Sequence, residues 1–135
     1  MEVVDTSVLV LGKRDEAISK WLVDAGDELG LVDVVALEYL MGARSAADYE
    51  AIEEALSGFQ RIPIEVADWD RARSVHRLLA RKGPGEQRSV RIPDLLIAAV
   101  AERQGADLVH YDEDYDRIAS VTHQPTRWIV PRGSA

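Results

Sequence analysis

The sequence predicts an α/β fold, a sandwich in which a mostly parallel central sheet is flanked by helices. Short apolar segments of strand character, Glu2–Val4, Asp107–His110 and residues 127–130, with weaker candidates at 29–32 and 61–64, alternate with longer stretches of helical periodicity. A parallel neighbour can be reached only through a crossover, usually a helix, so this alternation favours parallel pairing. The length of 135 residues with 47% hydrophobic content supports one core and is short for two, so the chain is expected to be a single domain over 1–135.

Glu2–Val4 runs directly into Asp5, with the apolar residues Val8 to Val10 beyond it. Residues 14–25 place Ile18 and Leu22 on one side, with Trp21 beside them, and Gly26 stops the helix. Residues 33–41 carry Val34, Leu37 and Met41 at helical spacing, and a break at 42–45 precedes a second helical pattern at Ala46–Leu56. Val66–Lys82 begins shortly after Pro63 and ends at Gly83. Its Val66, Trp69, Val75, Leu78 and Leu79 form an apolar stripe expected to face the core, with Arg71, Arg77 and Arg81 as polar neighbours. Gly83-Pro84-Gly85 opens a polar loop that runs to Arg91. Pro93 suits the first position of a helix over 93–104, apolar nearly all round and therefore buried, which Gly105 ends. Trp21, Trp69 and Trp128 are expected in the core or at a partner interface. His110, His123 and His76 are expected to be structural or superficial, since none has a second histidine at useful spacing.

Composition narrows the chemistry. The absence of cysteine excludes disulfides, thiolate zinc sites and a cysteine nucleophile. No basic segment precedes an apolar one at the start, and the apolar run Leu95 to Ala101 is far below the ~18 residues that span a bilayer, so a soluble, cytoplasmic protein is expected. A net charge of −8 does not recruit nucleic acid by bulk attraction. The distribution is uneven, however. Between Arg61 and Arg91 eight basic residues face four acids, so a basic flank is expected beside an acidic centre.

Four carboxylates stand in apolar surroundings. Asp5 ends the first strand, Glu38 lies on the helical face of Val34 and Met41, Asp94 occupies the first turn of the buried helix, and Asp112 follows the strand at 107–110. Burying an ionised carboxylate costs several kcal/mol unless it is paired or coordinates a metal, and Arg91 and Arg117 are the only cations in these segments. Sites in such sheets collect at the C-terminal strand ends. Converging there, the four acids would raise one another's pKa values, a conflict that a divalent ion resolves. Oxygen ligands alone suit Mg²⁺ or Mn²⁺ rather than zinc.

The segments Val3-Val4-Asp5-Thr6-Ser7-Val8-Leu9, Leu37-Glu38, Ile92-Pro93-Asp94-Leu95-Leu96-Ile97-Ala98-Ala99 and 111–119 hold these acids 33, 56 and 18 positions apart. In this order they resemble the PIN-domain ribonucleases, and among them the VapC toxins of bacterial toxin–antitoxin pairs. The resemblance runs from Val3 to about Val130. It implies a PIN-like sandwich and a Mg²⁺-dependent endoribonuclease toxin, a homodimer held in a heterotetramer or larger complex by a VapB-like antitoxin. Asp5, Glu38, Asp94 and Asp112 then form the acidic quartet and Asp114 matches a further acid of the last motif, while Thr6 or Ser7 supports the first ligand through its hydroxyl. On that reading Asp5 and Asp94 bind the first ion directly. Asp112 and Asp114 complete its water shell or hold a second ion, and Glu38 orients or deprotonates water. His110 stands where many members carry Thr or Ser. A dehalogenase-type phosphatase needs an aspartate at position 7, where Ser stands, and a receiver domain needs a lysine after the last strand, where none occurs. Phosphate-cradling glycine motifs are absent. The alternative that remains is a PIN-like module that binds RNA or a partner without cutting.

Overall fold

A computed structural model describes residues 1–135. Five strands form one parallel sheet in the order β3-β2-β1-β4-β5: β1 is Glu2–Val4, β2 Leu29–Val32, β3 Gln60–Ile62, β4 Asp107–His110 and β5 Thr126–Trp128. The helices between them are α1 (Thr6–Gly12), α2 (Glu16–Ala25), α3 (Asp33–Leu40), α4 (Ala46–Leu56), α5 (Val66–Lys82), α6 (Ile92–Arg103) and α7 (Asp114–Thr122). The central strands are short but wholly apolar where they pack. Val3, Val4, Val32, Leu108 and Val109 are all buried, and one hydrophobic cluster joins them to residues of the surrounding helices. The α6 helix is enclosed from Asp94 to Ala101, as its continuous apolar sequence predicts.

Two elements lie beyond the sequence expectation. No helix was expected at 6–12, because Val8-Leu9-Val10-Leu11 has no polar face to reveal a period. The chain nevertheless turns at Asp5, whose extended backbone and side-chain bond to the Ser7 N–H make it the N-cap of α1. The α7 helix, rich in acids, is held by the burial of Tyr115 and Ile118. Strand and helix ends elsewhere shift by one or two residues, with β5 ending at Trp128 instead of residue 130.

The apolar stripe of α5 turns inward at Val75 and Leu79 but not at its start. Val66 and Trp69 are 77% and 52% exposed, and the inward face is Asp68, Ala72, Val75 and Leu79. Trp69 is therefore not a core residue, whereas Trp21 and Trp128 are half-buried. A helix can turn an aspartate inward only if its charge is met. Asp68 accepts from Arg103 Nε at 2.9 Å, from Arg103 Nη2 at 3.0 Å and from the Glu65 N–H at 2.8 Å, all its oxygens engaged. This fork clamps the start of α5 to the end of α6. Arg103→Ala strands the Asp68 charge in the interior and is expected to cost about 3 kcal/mol in urea unfolding. A loss below about 0.5 kcal/mol, the usual size for a surface substitution, would show that water replaces the guanidinium.

Candidate metal centre

The C-terminal ends of β1 and β4 lie side by side at the middle of the sheet, and the acids collect there. The Asp5 N–H donates to the Val109 carbonyl at 3.0 Å, which continues the ladder one residue past β1 and fixes where the side chain leaves the strand. Asp5 Oδ2 accepts from the Ser7 N–H at 3.0 Å and from Ser7 Oγ at 2.5 Å, and Ser7 Oγ accepts in turn from the Tyr111 N–H at 2.9 Å. Of the two hydroxyls expected to support the first acid, Ser7 does so. Thr6 instead donates to Glu38 Oε1 at 2.9 Å.

Asp94 enters from the first turn of α6 and Asp112 and Asp114 from the loop and helix start after β4. One carboxylate oxygen from each of these three lies within 4.8 Å of the others, as a shared cation requires. Asp112 Oδ1 accepts from the Asp114 N–H at 2.9 Å, a turn that holds the two acids in register. Asp114 Oδ2 accepts from the Arg91 N–H at 3.1 Å and Oδ1 from Arg117 Nη1 at 3.0 Å. Glu38 reaches the rim, its Oε2 hydrogen-bonded by the Arg91 guanidinium. Both cations that the sequence offered, Arg91 and Arg117, are thus spent on these acids.

Asp94 is left over. It is 1% exposed, and its Oδ2 has no hydrogen-bond partner although it is buried. Its carboxyl is pushed up to about 8, first by burial, then by the neighbouring carboxyl of Asp114 and the charges of Asp5 and Asp112, against the weaker pull of Arg91. Burial also raises Asp112, with Asp114 and Asp5 adding to it while the Asp114 N–H and Arg91 oppose. An all-oxygen set one of whose members carries an orphaned buried oxygen fits a hard divalent cation.

Two supporting residues hold the centre in ways the sequence did not specify. Tyr115 is fully buried, and its hydroxyl donates to Asp5 Oδ1 at 2.6 Å and lies 3.2 Å from Asp94 Oδ1. His110 is buried too, and its Nδ1 accepts the Asp112 N–H at 3.1 Å, so the imidazole serves the turn directly. Burial holds that ring below its usual pKa, in the neutral form this acceptor role needs. The signal for Tyr115 was its place between Asp114 and Asp116, an aromatic ring in an otherwise acidic run. Two apolar clefts of about 580 and 600 Å³ border α4 and contain none of the five acids.

A parallel sheet whose central strand ends gather carboxylates, one oxygen of them unpartnered, defines an α/β protein with an acidic cluster that could hold a divalent cation. The chain belongs to the PIN domain family, whose model matches residues 3–121. It is 47% identical to Ribonuclease VapC18 of Mycobacterium tuberculosis over 97% of this chain and 96% of that protein. It is 41% identical to Ribonuclease VapC51 of the same organism over 84% and 80%. Its fold is similar to that in the DNA-bound VapBC structure from Salmonella typhimurium, with a TM-score of 0.76 at 20% identity over 95% of this chain and 98% of that one. The FitAcB structure from Neisseria gonorrhoeae gives 0.71 at 18% identity over 93% and 96%.

The raised Asp94 carboxyl fixes the sign of a pH effect. Without metal the folded chain keeps a proton that the unfolded chain has lost above about pH 4, so the Asp94 contribution to stability falls as pH rises from about 4 to about 8. A divalent ion displaces that proton, so its apparent affinity rises through the same window. Melting temperatures in EDTA and in Mg²⁺ across this range measure both. A metal-induced increment that does not grow with pH would contradict the assignment.

Proposed function

We propose that this chain is a divalent-metal-dependent endoribonuclease, the toxin of a cytoplasmic toxin–antitoxin pair, restrained by a VapB-like antitoxin. The observation that carries the reading is the carboxylate trio of Asp94, Asp112 and Asp114, with an orphaned buried oxygen on Asp94, on a chain 47% identical over nearly its whole length to a named VapC ribonuclease. Structures of similar fold were solved as VapBC and FitAB assemblies, three of them on DNA, which supports the antitoxin partner. The apolar clefts beside α4 offer such a partner a surface. A homodimer within a heterotetramer or larger assembly follows from the same kinship.

Asp94, Asp112 and Asp114 would hold Mg²⁺ or Mn²⁺, with Asp5 as a further ligand beside them. Bound there, the ion supplies a lowered water pKa and neutralises charge on the scissile phosphate. Glu38 stands at the rim with its carboxylate held between Thr6 and Arg91, placed to orient the attacking water and accept its proton. Arg91 must then leave Glu38, and a phosphate oxygen of the RNA is the partner it gains. The basic segment between Arg61 and Arg91 provides further phosphate contacts beside an otherwise acidic protein.

No histidine pair serves the centre. His76 and His123 are exposed, and His110 is buried and engaged with the Asp112 turn. Water attack in line therefore leaves a 5′-phosphate and a 3′-hydroxyl, with no part for the ribose 2′-hydroxyl. Incubation with total RNA in Mg²⁺ and in EDTA, followed by mapping of the cut ends, tests the reading. Cyclic phosphate ends, or cutting that survives EDTA, would overturn it. Asp94→Asn is expected to reduce cleavage at least about 100-fold while raising the metal-free melting temperature near neutral pH, because an amide spares the proton uptake that folding demands of the Asp94 carboxyl. A variant that cuts at the wild-type rate would refute the site assignment.

A further inference from the structure

The hydroxyl of Tyr115 sits where two carboxylates face each other, and that is an expensive place for a core tyrosine. A phenylalanine would fill the same volume and keep the same ring contact with His110, whose centroid is 5.1 Å away. The hydroxyl therefore adds nothing to packing. What it adds is a single proton, and the distances say where that proton goes: 2.6 Å to Asp5 Oδ1 is a full hydrogen bond, while 3.2 Å to Asp94 Oδ1 is a longer approach from the same oxygen.

Lone-pair arithmetic then constrains Asp5. Each carboxylate oxygen accepts two donors. Oδ2 is saturated by the N–H and hydroxyl of Ser7, and Oδ1 has one place taken by Tyr115. Asp5 is thus pinned from α1 on one oxygen and from α7 on the other, with one lone pair free. Asp94 has no donor on Oδ2 and only the tyrosine oxygen near Oδ1. The hydroxyl stands between the two acids as a fixed spacer.

We propose that Tyr115 is a positioning residue of the metal centre: its hydroxyl pins Asp5, spaces it from Asp94, and so sets the affinity of this pair for a divalent cation. The inference rests on the metal-centre reading above. It acts through Asp5, so its effect must vanish when the Asp5 carboxylate is gone.

Mn²⁺ binding to the purified full chain, measured by calorimetry or electron paramagnetic resonance, tests this with wild type, Tyr115→Phe, Asp5→Asn and the double variant. Tyr115→Phe is expected to weaken Mn²⁺ about tenfold, with a far-ultraviolet dichroism spectrum like that of the wild type. In the Asp5→Asn background the same change is expected to do less than twofold. RNA cleavage should lose kcat with KM unaltered. Equal Mn²⁺ affinity in wild type and Tyr115→Phe would overturn the inference alone, as would a loss that persists undiminished without the Asp5 carboxylate. No Mn²⁺ uptake by the wild type would remove the metal reading and this inference together. A second measurement needs no substitution: of the four tyrosines only Tyr115 is fully buried, so in the 3-fluorotyrosine-labelled protein its resonance is the one shielded from a paramagnetic solute. That resonance is expected to shift on Mg²⁺ addition, and a position unchanged at saturating Mg²⁺ would count against the proposal.

Discussion

Repulsion among carboxylates at the centre of the sheet is the constraint around which the rest of the molecule is arranged. Parallel strands bring Asp5 and the Asp112–Asp114 turn to the same edge, and α6 delivers Asp94 between them. In a poorly hydrated interior such charges oppose folding unless each meets a donor or a cation. Ser7 and Tyr115 serve Asp5, Arg117 and the Arg91 backbone serve Asp114, and Thr6 with the Arg91 side chain serves Glu38. Asp94 receives no such complete set, and one of its oxygens is left with nothing. The contrast with Asp68 is instructive. That aspartate is equally buried, yet a forked arginine and a backbone N–H satisfy it, and it needs no ion. Burial alone does not separate the two aspartates; the unfilled lone pair of Asp94 does.

Much of this was legible before any coordinates. The strands at Glu2–Val4 and Asp107–His110 and the buried α6 announce themselves by composition, and Pro93 and Gly105 mark the ends of α6. The acids stood out because apolar neighbours surround them. What the sequence hid has physical reasons. The α1 helix is an apolar run without a polar face, so its period is silent. The first turn of α5 departs from its hydrophobic pattern, with Val66 and Trp69 facing solvent while Val75 and Leu79 pack inward. The true inward face holds Asp68, whose partner lies on α6 at Arg103 and so could not be guessed from α5 alone. Tyr115 and His110 escaped for a similar reason, since their value lies in contacts with Asp5 and Asp112 that only the folded geometry creates. A hydroxyl or an imidazole nitrogen carries no sequence mark of what it will face.

The pairing of β1 with β4 carries a further consequence. Glu2 aligns with Asp107 and Val4 with Val109, so the central ladder joins the beginning of the chain to its last third. Contacts of such long separation form late, because the intervening loop must close first. During synthesis the first strand therefore waits, unpaired on that side, until more than a hundred residues have followed it. Asp94, Asp112 and Asp114 are not yet made for most of that interval. An interrupted chain that stops before β4 holds Asp5, Glu38 and at most Asp94, and without Asp112 and Asp114 it has no centre to assemble. The wiring of the sheet thus reserves the centre for chains that have been completed past β4.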